Sequence, residues 1–597
     1  MRAPGTTAPG AWRPPLAGGR TNCVSDTRTT NLRHRNLRIR RYSEEVNPTP
    51  QTVAVPDWPL TAALDRAASE HPGRVALDFF GATTTYRDLS DTVDRAAAVL
   101  QARGVTAGDR VAVALPNSPS HVVAFWAVLR LGAVVVELNP TLGAAESARL
   151  VTDSGAHVVL AWAKTAASIA AELPHDDVVA VDISRDLPRR QQWLLRLPVK
   201  AARTQRDAMV GDPLPRETPR WHALVASASP LPIDHPAAAA DDLALLMYTG
   251  GTTGDPKAVM LRHRNLTVNA VQGQAWTGHD AATPEVVYGV LPYFHAFGLQ
   301  LCLVYATLVA ATVVVFPRFD AKAVLAAQRR RPGTFLPAVP PMLARLSDAA
   351  REGRADLSSF KIAISGSMAL PAEIAQAWER TTGGLVIEGY GMTETSPVAL
   401  GNPLDARRRP GALGLPFPST QIRVVDQDDP TRDVAPGERG ELLIAGPQVF
   451  DGYWQRPEET AQALLPGGWL RTGDIVTVDD DGFVTLVDRT KEVIVTGGFK
   501  VYPSQVEARL LDMPQIAEVA VVGMPAGDLG ERVVAAIVLA KGVTTLDLAT
   551  VREWASANLA RYALPRSLVV VTELPHSAIG KVLRRAVRER LLTSMPA

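Results

Sequence analysis

From residue 58 onward, apolar runs of strand length alternate with stretches whose apolar residues recur at helical spacing. Residues 58–73, WPLTAALDRAASEHPG, have the helical spacing and end at a glycine, and residues 74–90 read as two strands with a turn at Gly81. Residues 109–118, DRVAVALPNS, form an apolar run that ends in turn residues. This alternation is typical of parallel sheets covered by helices. It predicts an α/β fold, and the absence of any fixed-period repeat argues against solenoids and propellers.

The chain is long enough to require more than one domain. At 597 residues it exceeds what one hydrophobic core usually supports. The pattern changes at a short hinge, residues 488–491, which separates a large domain of layered sheets and helices, residues 46–487, from a small α+β domain, residues 492–597. Residues 1–45 hold nine arginines against three acidic residues and show no apolar periodicity, which predicts a disordered tail.

Composition excludes several classes of protein. Lys and Arg total 62 against 61 for Asp and Glu, so the chain lacks the basic field of a nucleic-acid-binding protein, and we expect no nucleic-acid partner. Its two cysteines cannot build a disulfide framework, which favours a reducing, cytoplasmic location. The longest apolar stretch, residues 301–316, is shorter than the roughly 20 residues of a membrane span. Its composition predicts a buried helix followed by a buried strand.

The most informative stretch is Tyr248–Met260, YTGGTTGDPKAVM, which directly follows the apolar run LALLM. Backbone N–H groups of a glycine-rich loop after a strand can surround phosphates, while threonine hydroxyls add donors and a lysine adds positive charge. The loop is not a Walker A motif, because Asp255 and Pro256 separate Gly254 from Lys257. It therefore predicts a phosphate site that differs from that of P-loop kinases.

Three further stretches carry side chains that suit a nucleotide and its metal. Gly389–Glu394, GYGMTE, combines an aromatic ring that can stack on a base with a carboxylate of the kind that Mg²⁺ prefers. Trp469–Asp474, WLRTGD, ends in an acidic residue that can accept hydrogen bonds from ribose hydroxyls. Near the end of the chain, LPHSAIGKVLRR contains Lys581. Each stretch is weak evidence by itself, because turn acids and surface lysines are common.

Together and in this order, the four stretches resemble the motifs of the adenylate-forming superfamily, which includes acyl-CoA synthetases, luciferases and the adenylation domains of peptide synthetases. The resemblance covers about residues 55–590. Within the superfamily the chain is most similar to bacterial long-chain fatty-acid–CoA ligases, through GGFKVYPSQVE at residues 497–507. The resemblance implies ATP and CoA as substrates, Mg²⁺ as cofactor and a small, mobile C-terminal domain.

The resemblance also assigns roles to individual residues. The catalytic residues it implies are Lys581, Glu394, Thr393 and His295. Those implied to bind ATP or AMP are Thr249, Gly250, Gly251, Thr252, Thr253, Gly254, Lys257, Gly389, Tyr390, Gly391, Met392, Asp474 and Arg489. Those implied to hold Mg²⁺ are Thr252 and Glu394, and those at the hinge or the CoA approach are Lys491, Gly497 and Gly498. Those implied to line the acyl pocket are Phe294, Gly298, Ser365, Gly366 and Ser367.

The acid itself is less defined. The resemblance favours a medium- or long-chain fatty acid that is converted to acyl-AMP and then to acyl-CoA. An aromatic acid of the cinnamate or benzoate type is one alternative, and a fatty-acyl-AMP ligase that loads a carrier protein is another. An amino acid is disfavoured because no carboxylate occurs from Leu291 to Pro317. A nonenzymatic nucleotide-binding protein is disfavoured because it has no need of Lys581.

Residues 189–206 combine six cationic side chains with Trp193 and several aliphatic residues. This composition suits an interfacial element that collects fatty acids from anionic membranes, and a solvated surface insertion is the alternative. We therefore expect small-molecule partners, with peripheral contact at the inner membrane face as an additional interpretation. The sequence leaves the oligomeric state open.

Overall fold

The computed structural model describes residues 50–173, 177–211, 214–232, 235–249, 256–496, 499–526, 530–557, 559–577 and 580–594. The predicted arginine-rich tail, residues 1–45, lies outside the described residues. The strands up to residue 489 are β1 (Val75–Phe79), β2 (Ala82–Thr85), β3 (Arg110–Ala114), β4 (Val134–Glu137), β5 (Val158–Trp162), β6 (Asp177–Val181), β7 (Leu243–Thr249), β8 (Lys257–Arg262), β9 (Val286–Gly289), β10 (Thr312–Val315), β11 (Phe335–Ala338), β12 (Ile362–Ser365), β13 (Leu385–Gly391), β14 (Val398–Gly401), β15 (Leu415–Pro416), β16 (Gln421–Val425), β17 (Gly440–Ala445), β18 (Leu464–Leu465), β19 (Trp469–Val478) and β20 (Val484–Arg489).

The helices of the same region cover the two large sheets. They are α1 (Thr61–Glu70), α2 (Tyr86–Gln101), α3 (Pro119–Arg130), α4 (Ala144–Ser154), α5 (Ala163–Glu172), α6 (Arg189–Leu194), α7 (Lys200–Met209), α8 (Trp221–Ser227), α9 (His263–Thr277), α10 (Ala296–Leu299), α11 (Tyr305–Leu308), α12 (Ala321–Arg330), α13 (Pro340–Gly353), α14 (Ala372–Thr382) and α15 (Pro457–Ala463).

The two large sheets confirm the predicted α/β fold. One has six strands in the order β6–β5–β3–β4–β7–β8, and all neighbouring pairs are parallel except the β7–β8 hairpin. The other has nine strands in the order β15–β14–β13–β12–β11–β9–β10–β1–β2, parallel in its centre and antiparallel at both ends. A third sheet of five antiparallel strands contains β16 to β20.

Local sequence explains why the helices begin where they do. The Ser118 side chain caps α3 by accepting a hydrogen bond from the His121 N–H, and Pro119 occupies the first turn. The ten residues from Ser120 to Leu129 are all buried, as expected of a helix that is apolar on every side. This helix therefore lies inside the core of the large domain.

The predicted change from helix to strand in residues 301–316 is confirmed. The buried helix α10 continues through a π-helical turn, Gln300–Val304, into α11, and the buried strand β10 follows. None of the helices in the described part of the chain has both the length and the apolar composition needed to cross a bilayer.

The residues after the predicted hinge form two small sheets and three helices. These elements are β21 (Ile494–Thr496), β22 (Phe499–Val501), α16 (Pro503–Leu511), β23 (Ile516–Pro525), β24 (Glu531–Leu539), α17 (Leu548–Ser556), β25 (Ser567–Val570) and α18 (Arg584–Ser594). The β21–β22 hairpin and the sheet of β23, β24 and β25 pack around a core that includes Val506, Leu510 and Val551. Among the described residues, no strand pairing joins this region to the preceding sheets, which is consistent with a separate small domain.

Candidate active site

Three of the four motif stretches line one cavity of about 410 Å³. It forms where the β7–β8 hairpin and the end of β13 meet the residues that follow β20 and the loop before α18. The predicted site residues that line it are Thr249, Lys257, Phe294, His295, Gly366, Ser367, Gly389, Tyr390, Gly391, Met392, Thr393, Glu394, Arg489, Lys491 and Lys581. Stretches far apart in sequence thus meet at one place, although the role of each residue stays a prediction.

The remaining predicted residues do not line this cavity or lie outside the described residues. Asp474, Ser365 and Gly298 are buried behind its wall. The glycines and threonines at 250–254 (Gly250, Gly251, Thr252, Thr253 and Gly254) and the pair Gly497 and Gly498 lie outside the described residues. The described ends of the first loop are in register, because Thr249 pairs with Lys257 across the β7–β8 hairpin.

Tyr453 is a site residue that the sequence analysis missed. Its hydroxyl donates a hydrogen bond of 2.8 Å to Oε1 of Glu394, and the ammonium of Lys257 lies 5.0 Å from the centre of its ring. One side chain therefore orients an acidic and a basic residue of two different motifs. Burial raises the pKa of Glu394, and the hydrogen bond from Tyr453 opposes that rise. The sequence signal was the aromatic pair of DGYW ahead of RPEE.

Asp474 links the end of β13 to the hinge. Oδ2 of Asp474 accepts a 2.6 Å hydrogen bond from the Tyr390 hydroxyl, and Oδ1 accepts one of 3.0 Å from Nε of Arg489. The carboxylate is 1% exposed, so Tyr390 and Arg489 stand between it and the cavity. Its charge raises the pKa of Arg489 and keeps the guanidinium positive. In this arrangement Tyr390 and Arg489 are the groups that face the cavity, and the predicted Asp474–ribose contact would require them to move.

Lys581 enters the cavity from the loop before α18. Ser577 fixes this loop, because its hydroxyl accepts the backbone N–H of Lys581 at 3.1 Å. Burial and the positive charge of Arg489 together lower the pKa of Lys581 to about 8, against the opposing effects of Glu492 and Asp474. The ammonium is therefore poised to gain stability from any anion that enters the cavity.

His295 forms part of the opposite wall. Its Nδ1 accepts the N–H of Phe297 at 3.3 Å and so caps α10. Burial lowers its pKa to about 4, which makes the imidazole neutral at physiological pH. The ring can accept or donate a hydrogen bond but carries no charge, and the adjacent Phe294 gives the wall an apolar surface.

Two glycines near the cavity are required by close backbone approach. A Cβ at Gly391 would lie 1.7 Å from the carbonyl oxygen of Pro397, and a Cβ at Gly298 would lie 2.1 Å from that of Pro292. Either contact is impossible without moving the backbone. The structure therefore shows why position 298 accepts only glycine, while its predicted place in the acyl pocket stays a prediction.

Two further cavities adjoin the site on its apolar side. The smaller, about 20 Å³, shares Gly389 and Val398 with the site and ends at Trp276 and Tyr305. It is about large enough for one water molecule, so an acid can enter it only if side chains move. The larger, about 880 Å³, shares Phe294 with the site and is lined by residues that follow strands of both large sheets, among them Asn117 after β3 and Val339 after β11.

The smaller cavity is closed by aromatic contacts. Trp276 stacks on Phe417 with ring centres 4.5 Å apart, and the Tyr305 hydroxyl is within 2.8 Å of Oγ1 of Thr277 and 2.6 Å of Nδ1 of His279. Glu388 also lines this cavity, but its carboxylate accepts hydrogen bonds from Gly411 and Asn402. The Glu388 carboxylate is therefore already hydrogen-bonded within the protein and does not present a free anion to a substrate ammonium.

A divalent cation fits the polar wall. Among the described residues, no cluster of three or more His, Cys, Asp or Glu could hold a metal by itself. Mg²⁺ commonly uses one or two carboxylates and completes its shell with water and substrate phosphates. Glu394 supplies one oriented carboxylate beside Lys257 and Thr393, so the residues present suit a cation that arrives with a nucleotide.

An ionic network ties the predicted hinge to the residues that follow it. Oδ2 of Asp488 accepts the N–H of Ser504 at 2.7 Å, and Oδ1 lies 3.5 Å from Nη1 of Arg584. Arg584 also pairs with Glu492 and Glu507. Asp488 thus contacts both sides of the predicted hinge, because it also lies in β20 and pairs with Ile475 of β19.

Comparison with known proteins agrees with this geometry. A family model described as AMP-binding enzyme matches residues 64–454, and one described as AMP-binding enzyme C-terminal domain matches residues 505–581. A long-chain-fatty-acid–CoA ligase of Bacillus subtilis (strain 168) is 34% identical over 564 residues, which cover 92% of this chain and 97% of that protein. A feruloyl-CoA synthase of Amycolatopsis sp is 35% identical over 534 residues, which cover 89% and 98%.

A solved structure extends the similarity to three dimensions. ATP-bound MatB from Rhodopseudomonas palustris matches with a TM-score of 0.73 at 30% identity, covering 89% of this chain and 99% of that one. The match spans both the large and the small domain of the present chain.

Proposed function

We propose that this chain, which belongs to the family of AMP-binding enzymes and is an acid–thiol ligase, joins a long-chain fatty acid to CoA with cleavage of ATP to AMP and pyrophosphate. The observation that carries the proposal is the convergence of Lys581, Glu394 and Arg489 on one cavity, together with full-length similarity to a long-chain-fatty-acid–CoA ligase. ATP and CoA are soluble in the cytoplasm, where we propose that the enzyme works.

In the first half-reaction the carboxylate of the acid attacks the α-phosphorus of ATP, and pyrophosphate leaves. Two anions must approach each other, so catalysis depends on positioned cations and hydrogen-bond donors. We assign Lys581 to bridge the carboxylate and the α-phosphate, and Lys257 to the departing phosphates. Mg²⁺ would be held by Glu394, where it would offset phosphate charge. No protein nucleophile or general base is needed.

In the second half-reaction the thiol of CoA attacks the acyl carbonyl of the adenylate, and AMP leaves. Lys581 obstructs that approach while it remains in the cavity. Rotation of the small domain about Asp488–Lys491 would withdraw it and bring Gly497 and Gly498 to the thiol. Arg584 supports this account because it holds the hinge acid to the domain that moves.

The acyl chain is assigned from similarity and cavity chemistry. The wall formed by Phe294 and the neutral His295 is compatible with an uncharged chain, and the 880 Å³ cavity beyond Phe294 has ample volume for one. An aromatic acid is the second candidate, favoured by the 35% identity to a feruloyl-CoA synthase and by the stacked Trp276–Phe417 pair beside the smaller cavity. CoA is the proposed acceptor in both cases.

A competition experiment separates the two candidates. Equal concentrations of palmitate, octanoate, ferulate and benzoate are offered together with ATP, Mg²⁺ and CoA, and the thioesters are separated by chromatography. Palmitoyl-CoA is expected to dominate, with octanoyl-CoA second. Dominance of feruloyl-CoA or benzoyl-CoA would replace the fatty acid with the aromatic candidate, and absence of every thioester would contradict the proposed function.

A further inference from the structure

Residues 189–206 form a surface that the ligase reaction does not use, and they are called here the basic–aromatic segment. The segment contains α6 and most of α7, joined by residues 195–199. No residue of α6 is buried, and Ala202 is the single buried residue of α7. The segment therefore presents most of its side chains outward.

Large apolar side chains of the segment face solvent. Trp193 is 61% exposed, the highest value among the large hydrophobic side chains that the structure describes, and Leu194 and Val199 are 43% and 51% exposed. Exposure of a tryptophan beside two aliphatic residues is unfavourable in water unless a partner covers them. Trp193 and Leu194 are the last two residues of α6, and Val199 is the last residue of the linker that follows it.

The charges of the segment are all positive. It contains Arg189, Arg190, Arg196, Lys200, Arg203 and Arg206 and has no acidic residue. Within the described part of the chain, none of the six forms a salt bridge, although Arg203 and Arg206 donate to the carbonyl oxygens of Pro198 and Leu195. Cations interleaved with apolar side chains match the two components of an anionic lipid surface.

The segment is fixed to the protein on its inner side. Leu195 is 6% exposed and belongs to the main core of the large domain. The Gln192 amide donates to the carbonyl oxygens of Arg185 and Leu187, and the Gln191 amide donates to that of Phe80. The outward position of Trp193 is therefore set by well-packed neighbours on both sides.

The segment also borders the 880 Å³ cavity. Gln191 of α6 and Gln205, Ala208 and Met209 of α7 line it, and Gln205 and Ala208 are exposed, so α7 forms part of the rim. The same cavity reaches Phe294, which faces the active site. A surface bound at α6 and α7 thus lies next to a large cavity that shares the Phe294 side chain with the active site.

We propose that the basic–aromatic segment docks the enzyme on an anionic lipid bilayer, from which the fatty acid passes into the 880 Å³ cavity. The use made of the acid rests on the proposed function, whereas the docking itself rests on Trp193, Leu194, Val199 and the six cations. A second copy of the chain is a poorer occupant, because a symmetric contact would bring twelve unpaired cations together.

The test measures sedimentation of the full chain with vesicles of phosphatidylcholine alone and of phosphatidylcholine mixed with phosphatidylglycerol. The wild-type protein is expected to bind the mixed vesicles and to bind pure phosphatidylcholine much more weakly. The triple variant Arg189→Gln, Arg190→Gln, Arg196→Gln is expected to lose about a hundredfold in affinity for the mixed vesicles. Trp193→Ala is expected to lose about tenfold.

The matched control removes three exposed arginines elsewhere, as Arg329→Gln, Arg380→Gln, Arg590→Gln. It has the same net charge as the triple variant and is expected to keep its affinity within about threefold. The arginine-rich residues 1–45 are present in every protein and affect all of them alike. Wild-type protein that does not prefer the mixed vesicles, or a control that loses as much affinity as the triple variant, would overturn the proposal.

A second readout separates docking from the proposed function. Vesicle binding is measured without ATP, acid or CoA, so a chain that activates no fatty acid still gives a clear docking result. Acyl-CoA formation is then measured with palmitate in mixed vesicles and with octanoate in solution. The triple variant is expected to lose rate only with vesicle-bound palmitate. An equal loss with soluble octanoate would show damage to the catalytic machinery and would contradict delivery from the bilayer.

Discussion

The polar wall and the apolar side of the active site are built by different means. On the polar wall, Glu394, Lys257 and Arg489 each have a defined partner from another segment, and contiguous motifs supply them. On the apolar side, Trp276, Tyr305 and Phe417 come from scattered elements and could each serve as ordinary core residues. The comparison teaches that the type of reaction depends on a few oriented charged side chains. The choice of acid substrate depends instead on the shape of the cavity that the packed core residues leave open.

The largest expected effect is on the polar wall. Lys581→Ala removes the ammonium that we propose bridges the acid and the α-phosphate, so acyl-AMP formation is expected to fall by about a thousandfold. Thioester formation from preformed acyl-AMP is expected to stay within about threefold of wild type, because Lys581 leaves before CoA attacks. Rapid-quench measurement of the two half-reactions checks both values. Equal losses in both half-reactions would contradict the proposal that the small domain adopts one position for acyl-AMP formation and another for thioester formation.

A smaller effect is expected from Tyr453→Phe, which deletes the hydrogen bond to Glu394 and keeps the ring next to Lys257. Adenylation kcat is expected to fall about tenfold, since one charge-assisted hydrogen bond is lost. Tyr288→Phe is the matched control, because it removes a 2.8 Å hydrogen bond from a buried hydroxyl to the Arg331 carbonyl far from the motifs. It should lower thermal stability without changing kcat. Comparable kinetic loss in both variants would show that Tyr453 acts through stability alone.

On the apolar side, Gly273→Ala tests whether the smaller cavity receives the acid. A Cβ at this position lies 3.4 Å from the Tyr305 ring, an ordinary contact, so the helix should tolerate it while the cavity becomes smaller. The aromatic candidate is the acid proposed beside this cavity, so we expect the KM for ferulate to rise about fivefold, by analogy with the loss of a methylene-sized space. The KM for ATP, measured in the same assays, should not change. An equal rise in the KM for the acid and the KM for ATP would show that the polar wall and the apolar side of the active site do not act separately.

The smallest effect is the dependence on pH. Burial lowers the Lys581 pKa to about 8, so the ammonium form dominates below that pH and is lost as pH rises through it. The kcat/KM of the first half-reaction is therefore expected to be constant well below pH 8. It should be half its maximum near pH 8 and fall further at higher pH. Lys581→Arg keeps its charge at high pH, so its lower activity should show no decline in this range. An identical decline in both proteins would assign the titration to another group.

The sequence predicted the polar wall far better than the apolar side. Lys257, Glu394 and Lys581 stand in contiguous stretches whose residue types already suggest phosphate chemistry, and the structure brings them to one cavity. Tyr453 was missed because its partners, Glu394 and Lys257, lie 59 and 196 positions away and only folding reveals the contact.

Residues of the acyl side give no such signal. The predicted acyl-pocket residue Gly298 is required by the close approach of the Pro292 carbonyl, so a glycine there is explained by packing alone. Gly273 and Trp276 of α9 lie one helical turn apart, a spacing shared by every core-facing helix. The α/β fold was predictable because strands and helices alternate along the chain. A cavity is the space that remains when elements distant in sequence pack together, so the sequence pattern does not reveal it.

The measurement that tests the account most directly is the identity of the nucleotide product. Purified protein is incubated with Mg²⁺, ATP labelled in the α-phosphate and palmitate, first without CoA and then with it. Without CoA the account predicts enzyme-bound acyl-AMP in an amount equal to the enzyme, with matching pyrophosphate. With CoA it predicts repeated turnover to AMP and palmitoyl-CoA. Formation of ADP, or acid-independent cleavage of ATP, would contradict it.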